Sequence, residues 1–205
     1  MFRPAADGLL HTLPDDTDVL FRPVRPEDRE RIREGYEQAS RDTRYVRFFD
    51  RRPTLTDQEL DGLVLVDQVM HVAWCALDAT RPGLPGVGIG RFVCDPGNPA
   101  LAELALAVLD EFQGLGVGTI ILAVLYRRAT ELGVRELWGH VLHENEMVIR
   151  WLRDLGASVE DAGEYQEARL PVDGETASGD SPTAIHFRLA LAELDRCLGS
   201  DPGPQ

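Results

Sequence analysis

The sequence contains no lysine, and all 21 of its basic residues are arginine. A phosphate-binding P-loop requires a lysine after its last glycine, so this kind of nucleotide-binding loop is excluded. The 35 acidic residues give a formal net charge of −14. A nucleic-acid partner needs a basic surface, so the charge argues against one. Mutational bias in a GC-rich genome accounts for the missing lysines on its own.

Cysteine and long apolar runs are also scarce. Cys75, Cys94 and Cys197 are widely spaced and form no paired motif, so we predict reduced thiols with no disulfide and no metal site. No apolar run approaches the ~20 residues needed to cross a bilayer. The first residues lack the basic start and apolar centre of a signal peptide. We therefore expect a cytoplasmic protein without a membrane partner.

The 205 residues are 43% apolar and 27% charged, which is typical of a globular protein with one sizeable core. We predict a single domain over residues 19–198. Residues 1–18 are rich in polar residues, Pro and Asp, and are predicted to form a loose arm. Residues 199–205 are predicted to be a flexible tail.

The most informative stretch runs from residue 101 to residue 132. Leu101–Leu109 is a nearly unbroken apolar run, as expected for a strand buried on both faces. It is followed by the glycine-rich Gln113–Thr119 and then by apolar residues at helical spacing through Leu132. A strand, a glycine-rich turn and a helix in this order predict an anion site, because the turn and the helix start present unpaired N–H groups. The alternative is that the glycines only allow close packing.

The glycine spacing also bears on which ligand is bound. A dinucleotide-binding fingerprint has the pattern G-x-G-x-x-G and an acidic residue about 20 positions later. Here the glycines form G-x-G-x-G behind Gln113, and the next predicted strand carries its acidic residue at the wrong end. A second G-x-G-x-G at Gly86–Gly90 has no following helix, so we predict packing positions there and no phosphate site.

The remaining elements are predicted from periodicity, capping signals and turn residues. The other predicted strands are Val19–Val24, His71–Leu77, Gly86–Cys94, Arg135–Leu142, Ser158–Leu170 and Ala184–Leu191. The other predicted helices run from Pro26 to about Ala39, over Ser40–Phe49, from the Thr56 capping box through Val66, and over Glu144–Leu155. Pro171–Pro182 is predicted to be a long loop.

Gln113–Gly118 resembles the Q/R-x-x-G-x-G/A signature of the GCN5-related N-acetyltransferases (GNAT), whose loop holds the pyrophosphate of acetyl-CoA. Asn145 and the helix ending in Leu155–Ala157 resemble a second block of the same family. Three further segments are similar to bacterial protein lysine acetyltransferases, which modify acyl-CoA synthetases: Ser40–Phe49, Asp67–Val72 and Ala102–Ala105. Phe21–Asp28 resembles the family's first strand and helix start, so the resemblance covers roughly residues 19–157.

This resemblance implies an α/β fold with a mixed, mostly antiparallel sheet, helices on both faces and a split at the central strand. It implies acetyl-CoA as cosubstrate and no metal. Backbone N–H groups near Val108 and Leu109 would bind the oxyanion. The full set of predicted cofactor-binding residues is Val108, Leu109, Gln113, Gly114, Leu115, Gly116, Val117, Gly118, Thr119 and Asn145.

Glu103 is the leading catalytic candidate because it is the only ionisable residue between Leu101 and Leu109. Desolvation in an apolar strand would raise its pKa. The alternative is a carboxylate that faces solvent at a strand edge. In similar lysine acetyltransferases the glutamate at this place is the general base, and the resemblance gives His71 a supporting role.

Two positions depart from the family pattern. Leu152 stands where many relatives carry a tyrosine that protonates the thiolate, and lysine-modifying relatives often lack this tyrosine. Leu115 occupies a site in the glycine loop where basic residues are common, which leaves the binding of the 3′-phosphate open.

The resemblance therefore predicts an N-acetyltransferase that modifies a lysine of a protein substrate, such as an acyl-CoA synthetase. The alternatives are a small-molecule amine or N-terminal acetyltransferase, a non-catalytic acyl-CoA sensor and a dinucleotide-binding module. An enzyme that handles lysine amines would also gain from having no side-chain amine of its own to acylate. The sequence does not indicate the oligomeric state.

Overall fold

A computed structural model describes residues 2–40, 54–174 and 177–198, which build one mixed sheet. Its nine strands lie in the order β1-β2-β3-β4-β5-β6-β7-β9-β8. They are β1 Arg3–Ala5, β2 Gly8–Thr12, β3 Asp18–Pro23, β4 His71–Asp78, β5 Gly86–Asp95, β6 Asn98–Val108, β7 Glu136–Val141, β8 Ser158–Asp161 and β9 Gln166–Pro171. Neighbouring strands are antiparallel except β6 and β7, which are parallel. The predicted mixed, mostly antiparallel sheet is confirmed.

Helices cover both faces of this sheet, as predicted. They are α1 Arg29–Gln38, α2 Asp57–Val64, α3 Val117–Leu132, α4 Glu146–Asp154 and α5 Pro182–Leu198. On one face, α1 and α2 enclose a small core with Leu20, Cys75 and Leu77 of the sheet. On the other face, α3 is almost fully buried against the sheet and packs with α5. No helix in the part of the chain that the structure describes is both long and apolar enough to cross a membrane.

The predicted loose N-terminal arm is wrong. Residues 3–12 form the first two strands of the sheet, and Leu9 of β2 pairs with Phe21 of β3. Phe2, Leu9 and Leu13 are buried in the main core. The strands are short and their apolar residues stand between prolines, aspartates and glycine, so the composition conceals the alternation that marks an edge strand.

The C-terminal prediction also needs correction. Ala184–Leu191 lies inside α5 and is not a strand, because its buried residues recur at helical spacing: Ala184, Phe187, Ala190 and Leu194. Pro182 occupies the first helical position, where its fixed φ and missing N–H are favourable. The segment predicted as one strand over residues 158–170 is a hairpin of β8 and β9, which turns at Gly163 with φ +91°.

The other elements agree with the prediction to within a few residues. Thr56 caps α2 as predicted: its hydroxyl accepts from the N–H of Glu59 at 3.2 Å, and its own N–H donates to the Glu59 carboxylate at 2.8 Å. The predicted helix over Ser40–Phe49 lies, after Ser40, outside the described residues. The predicted tail over residues 199–205 lies outside them as well.

The glycines of β5 are packing positions, as predicted. A Cβ on Gly88 would lie 3.0 Å from Ile121 Cδ1, and a Cβ on Gly90 would lie 2.9 Å from Leu125 Cδ1 and still closer to Ile121. Both contacted residues belong to α3, so the missing side chains let this helix lie directly on the sheet.

We expect Gly90→Ala to lower the free energy of unfolding by about 1–3 kcal/mol, because the added methyl overpacks the contact with α3. Chemical denaturation measures this change. Gly62→Ala on α2 is the control, since its Cβ would have no atom within 4 Å. In that exposed helical position alanine should stabilise by roughly 0.5–1 kcal/mol. Equal effects of the two substitutions would contradict this account of Gly90.

Candidate active site

A cleft opens between the two parallel strands at the centre of the sheet. β6 and β7 are paired only over three positions, from Leu101↔Glu136 to Glu103↔Trp138. Beyond Glu103 the strands diverge, and the gap encloses about 860 Å³ including its open mouth. β6 is therefore not buried on both faces as predicted: Glu103 is exposed and the four residues after it are only half-buried.

The edge of β6 that faces this cleft carries polar backbone groups. The Leu104 carbonyl oxygen lies 2.7 Å from the place a Cβ on Gly139 would take, so it points toward β7. The N–H and C=O groups of successive residues in a strand point to opposite edges, so those of Leu106 and Val108 point toward β7 as the Leu104 carbonyl does. The Leu109 N–H instead donates to the Val87 carbonyl of β5 at 2.9 Å. Leu109 therefore cannot supply the predicted oxyanion N–H, whereas Val108 lies on the correct edge.

The glycine-rich turn directly follows this strand. Gly114 and Gly116 have φ values of +74° and +92°, which favour glycine, and α3 begins immediately afterward. The first helical hydrogen bond runs from the Ile120 N–H to the Gly116 carbonyl. Among the described residues, no acceptor takes a hydrogen bond from the backbone N–H groups of residues 114–119. This start of a 16-residue helix is suited to bind a phosphate group.

Gln113 behaves differently from the glycines that follow it. Its backbone N–H donates to the Asp110 carbonyl at 3.2 Å, so it is not one of the free N–H groups. Its side-chain amide donates to the Val108 carbonyl at 3.1 Å and thereby ties the turn to the end of β6. Gln113 is therefore placed to hold the turn in position.

Two residues of the α4 region connect the cleft with this turn. The Asn145 carboxamide oxygen accepts from the Val148 N–H at 3.3 Å, which caps α4, and Asn145 also lines the cleft. The Trp151 indole N–H donates to the Thr119 hydroxyl in the first turn of α3 at 3.1 Å. Leu152, at the place where many relatives carry a tyrosine, is buried in the cleft wall.

His186 on α5 packs against the glycine turn, and the sequence prediction missed it. A Cβ on Gly116 would lie 2.5 Å from the His186 Cε1. Burial lowers the pKa of His186, although the Glu193 carboxylate opposes this shift. The predicted strand over residues 184–191 hid this contact, because residue 186 reaches the turn from helix α5.

Glu103 lies on the sheet face of α1 and α2, at the point where the cleft begins. No described residue forms a hydrogen bond or ion pair with its carboxylate. The charge of Arg91 on β5 acts on the same part of the sheet: burial lowers the pKa of Arg91 and Glu103 opposes that shift. Because Glu103 is exposed, the protein itself does not supply the desolvation that the apolar strand suggested.

His71 and Glu103 lie at the same level on β4 and β6, two strands that are separated by β5. Cross-strand pairing places Val93 between them, so they are two strand spacings, about 10 Å, apart. Burial, followed by the charge of Arg91, lowers the pKa of His71, while Asp67 opposes these effects. The Asp67 carboxylate accepts from the N–H groups of Val69, Met70 and His71, each at 2.8 Å, and fixes the start of β4.

Two rings that the predicted site did not include, Trp138 and His140, line the cleft from β7, and Tyr165 lies beside His140. Trp138 and His140 have ring centroids 5.4 Å apart, and His140 and Tyr165 have centroids 4.9 Å apart. Alternation along the predicted strand over residues 135–142 is the signal that could have placed Trp138 and His140 on one face. Across residues 2–40, 54–174 and 177–198, no cluster of three or more His, Cys, Asp or Glu side chains is placed to hold a metal ion.

A helix start with free N–H groups, set beside a cleft between two diverging parallel strands, is suited to hold an extended ligand by its phosphate groups. The model of the acetyltransferase (GNAT) domain matches residues 18–158. The chain therefore belongs to the GNAT acetyltransferase family, and it is an N-acetyltransferase.

Known proteins extend this assignment. The chain is 32% identical over 187 residues to acetyltransferase PA5475 of Pseudomonas aeruginosa, covering 90% of both proteins. It is 34% identical over 138 residues to acetyltransferase Pat of Mycolicibacterium smegmatis, covering 67% of this chain and 40% of that protein. The crystal structure of the GNAT domain of S. lividans PAT superposes with a TM-score of 0.73 and 26% identity, covering 82% of this chain and 99% of that domain. The fold is also that of yncA from Salmonella typhimurium, solved with its cofactor acetyl-CoA, at a TM-score of 0.60 and 18% identity over 76% of this chain and 94% of that one.

Proposed function

We propose that the protein transfers the acetyl group of acetyl-CoA to a lysine amine of a protein substrate, with Glu103 as the general base. The observation that carries this proposal is the position of Glu103. Its exposed carboxylate stands where β6 and β7 diverge, and no described residue forms a hydrogen bond or ion pair with it, although the charge of Arg91 acts on it. A base must be able to reach an incoming amine, and a carboxylate already held in an ion pair would be a poorer one.

The cleft accounts for the binding of acetyl-CoA. The free N–H groups of residues 114–119 would hold the diphosphate, and the pantetheine arm would lie along the edge of β6. The N–H of Leu106, which lines the cleft and points to the same edge, would then face the thioester oxygen, and the N–H of Val108 would face the pantetheine arm. Because the Leu106 donor is fixed in the backbone, it need not reorganise as negative charge develops on that oxygen.

The reaction follows from this arrangement. The amine loses a proton to Glu103 and attacks the thioester carbon, which forms the C–N bond and a tetrahedral oxyanion. The C–S bond breaks when this intermediate collapses. The Leu106 N–H stabilises the tetrahedral oxyanion between these events. Leu152 cannot protonate the departing thiolate, so the thiolate leaves without a side-chain acid from that position.

The surface around Glu103 favours a protein as acceptor. Val93, beside Glu103 in the sheet, is 37% exposed, and His140 across the cleft is also exposed. An open surface of this kind suits a lysine on a protein, whereas a small amine is better served by a deep pocket. The relatives named Pat and PAT support the same class of acceptor. The net charge of −14 suits a partner with basic segments, and an acyl-CoA synthetase is one candidate.

We expect Glu103→Gln to reduce the turnover of acetyl transfer by about 10²- to 10⁴-fold, because the amide cannot accept the amine proton. The affinity for acetyl-CoA should change less than twofold. Mass spectrometry of a lysate incubated with labelled acetyl-CoA identifies the acceptor, and rates are then measured on that acceptor. Glu160→Gln, which changes another exposed glutamate of the sheet, is the control and should retain full turnover.

Three outcomes would contradict the proposal. Unchanged turnover in Glu103→Gln would remove this residue as the base. Binding of acetyl-CoA with no labelled acceptor would favour a sensor of acyl-CoA. Protection against thermal unfolding by NAD but not by CoA would favour a dinucleotide-binding module.

A further inference from the structure

Helix α5 and the β1–β2 hairpin belong to a part of the chain that the family model does not match. That model covers residues 18–158, so β1, β2 and α5 lie outside it. α5 packs on α3, where the rings of Phe187 and Tyr126 meet edge to face with their centroids 5.5 Å apart. This part of the chain therefore adds its own side chains beside the helix that follows the glycine turn.

His186 of α5 brings an imidazole ring against this turn. Its Nδ1, Cε1 and Nε2 atoms lie 3.3, 2.5 and 3.6 Å from the place that a Cβ on Gly116 would take, so this edge of the ring faces the turn. His186 is half-buried, and no described residue forms a hydrogen bond or ion pair with its ring. Neither ring nitrogen is sealed from solvent. The ring is therefore free to gain a proton.

Two other titratable side chains act on this ring. Among the described residues they are Glu193 of the same helix and His11 of β2. The turn residues on either side of Gly116 are uncharged. Burial lowers the pKa of His186 and the Glu193 carboxylate opposes this shift, so the ring is neutral at pH 7 when no ligand is bound.

A diphosphate at the turn would change this balance. Leu115 occupies the position in the turn where basic residues are common, and the chain contains no lysine. His186 is a basic side chain that contacts the turn. A nearby negative charge favours the charged form of an imidazole. Binding of an anion at the turn should therefore raise the pKa of His186.

We propose that His186 belongs to the cosubstrate site: its ring takes up a proton when acetyl-CoA binds, and the imidazolium stabilises the diphosphate in place of the base that Leu115 does not provide. This inference rests on the proposed function, because it needs the diphosphate at the glycine turn. The proton comes from solvent and returns to it when CoA is released, so the bonds made and broken in acetyl transfer stay the same.

The sign of the pH dependence follows from this coupling. Affinity for the cosubstrate should rise as the pH falls through the pKa of His186 in the complex. It should level off below the pKa of His186 in the free protein, because both states are then protonated. If these two pKa values differ by about one, the affinity changes about tenfold.

The test uses 3′-dephospho-CoA, which keeps the diphosphate of CoA but lacks its phosphate monoester. That monoester would itself titrate near a pH of about 6 and obscure the effect. Titration calorimetry of the full chain at pH 8, 6.5 and 5.5 should show affinity rising by roughly three- to tenfold toward low pH. At pH 6.5, in two buffers that differ in ionisation enthalpy, binding should take up about half a proton.

His186→Gln removes the titratable group and keeps a polar side chain of similar size. It should abolish both the rise in affinity and the proton uptake. At pH 8, where His186 is neutral, it should change the affinity less than about twofold. His11→Gln is the matched control, because His11 is also half-buried and burial lowers its pKa, but its ring lies 4.9 Å from that of Phe2. This variant should retain the pH dependence.

Each result distinguishes this inference from the proposed function. Equal affinity at all three pH values, or a pH dependence that His186→Gln retains, would overturn the inference even if Glu103→Gln abolishes turnover. Loss of the pH dependence in His11→Gln as fully as in His186→Gln would overturn the assignment of the proton to His186. Binding of CoA without binding of 3′-dephospho-CoA would overturn it too, because the diphosphate would then contribute little. If neither compound binds, the proposed function fails and this inference fails with it.

Discussion

Asp28→Asn is expected to lower the free energy of unfolding by about 3–5 kcal/mol. Asp28 is 1% exposed and Arg22 is 5% exposed, so their ion pair is buried. Two hydrogen bonds at 2.7 Å join the two side chains, and Arg31 contacts the same carboxylate. Asparagine has nearly the same volume but no charge. The substitution therefore leaves the buried guanidinium charge of Arg22 without its partner. Removing one partner of a buried ion pair destabilises a protein more than replacing both partners with apolar residues.

The same cluster makes stability depend on pH. Burial alone raises the pKa of Asp28, but hydrogen bonds from Arg22 and the Arg25 N–H, with the charges of Arg22 and Arg31, outweigh it and set the pKa below its ordinary value. A carboxyl group with a lowered folded pKa contributes stability that is fully present above its unfolded pKa, about 3.9. That stability is lost as the pH falls through the folded pKa. The acid side of the stability profile should therefore flatten in Asp28→Asn.

Urea denaturation from pH 7 to pH 3 measures both effects. Asp57→Asn is the matched control, because its side chain is 82% exposed although it pairs with Arg29 at 2.7 Å. Exposed pairs of this kind contribute at most about 1 kcal/mol. If both variants lost the same stability, the buried position of Asp28 would not be what makes its ion pair important.

The regular elements around the site were predictable because each carries its own local signal. The Thr56 capping box, the apolar run of β4 and the apolar residues at helical spacing in α3 each occur within one short segment. The order of strand β6, glycine turn and α3 was predicted for the same reason. Identification of the family also depended on such contiguous segments, chiefly the motif after Gln113.

Features set by contacts between distant segments were not predictable. The Leu109 N–H donates to the Val87 carbonyl on another strand, so the sequence suggested a donor that is not available. Val93 stands between His71 and Glu103 because of the strand order, which no local pattern reveals. The contact of His186 with Gly116 joins residues 70 positions apart and depends on α5, which was predicted as a strand. The desolvation expected for Glu103 required other segments to cover its side chain, and the carboxylate is exposed although Glu103 still pairs with Trp138 of β7.

The glycine turn carries the largest expected effect on ligand binding. In Gly116→Ala we expect the affinity for CoA to fall at least tenfold, for two separate reasons. A φ of +92° disfavours any residue with a Cβ, and the new methyl would lie 2.5 Å from the His186 Cε1. Either effect would displace the N–H groups that we assign to the diphosphate.

Two further variants separate these causes. Gly114→Ala has a positive φ of +74° but no atom within 4 Å of its Cβ, so it adds strain without a clash and should weaken CoA binding less. Combining Gly116→Ala with His186→Ala removes the clash and leaves the strain, so the double variant should recover part of the lost affinity relative to Gly116→Ala. Titration calorimetry with CoA compares the unsubstituted protein with Gly116→Ala, with these two variants and with the single His186→Ala variant as a control. If the double variant binds CoA no better than Gly116→Ala, then His186 does not constrain the turn. If Gly116→Ala binds CoA normally, then the turn is not the diphosphate site.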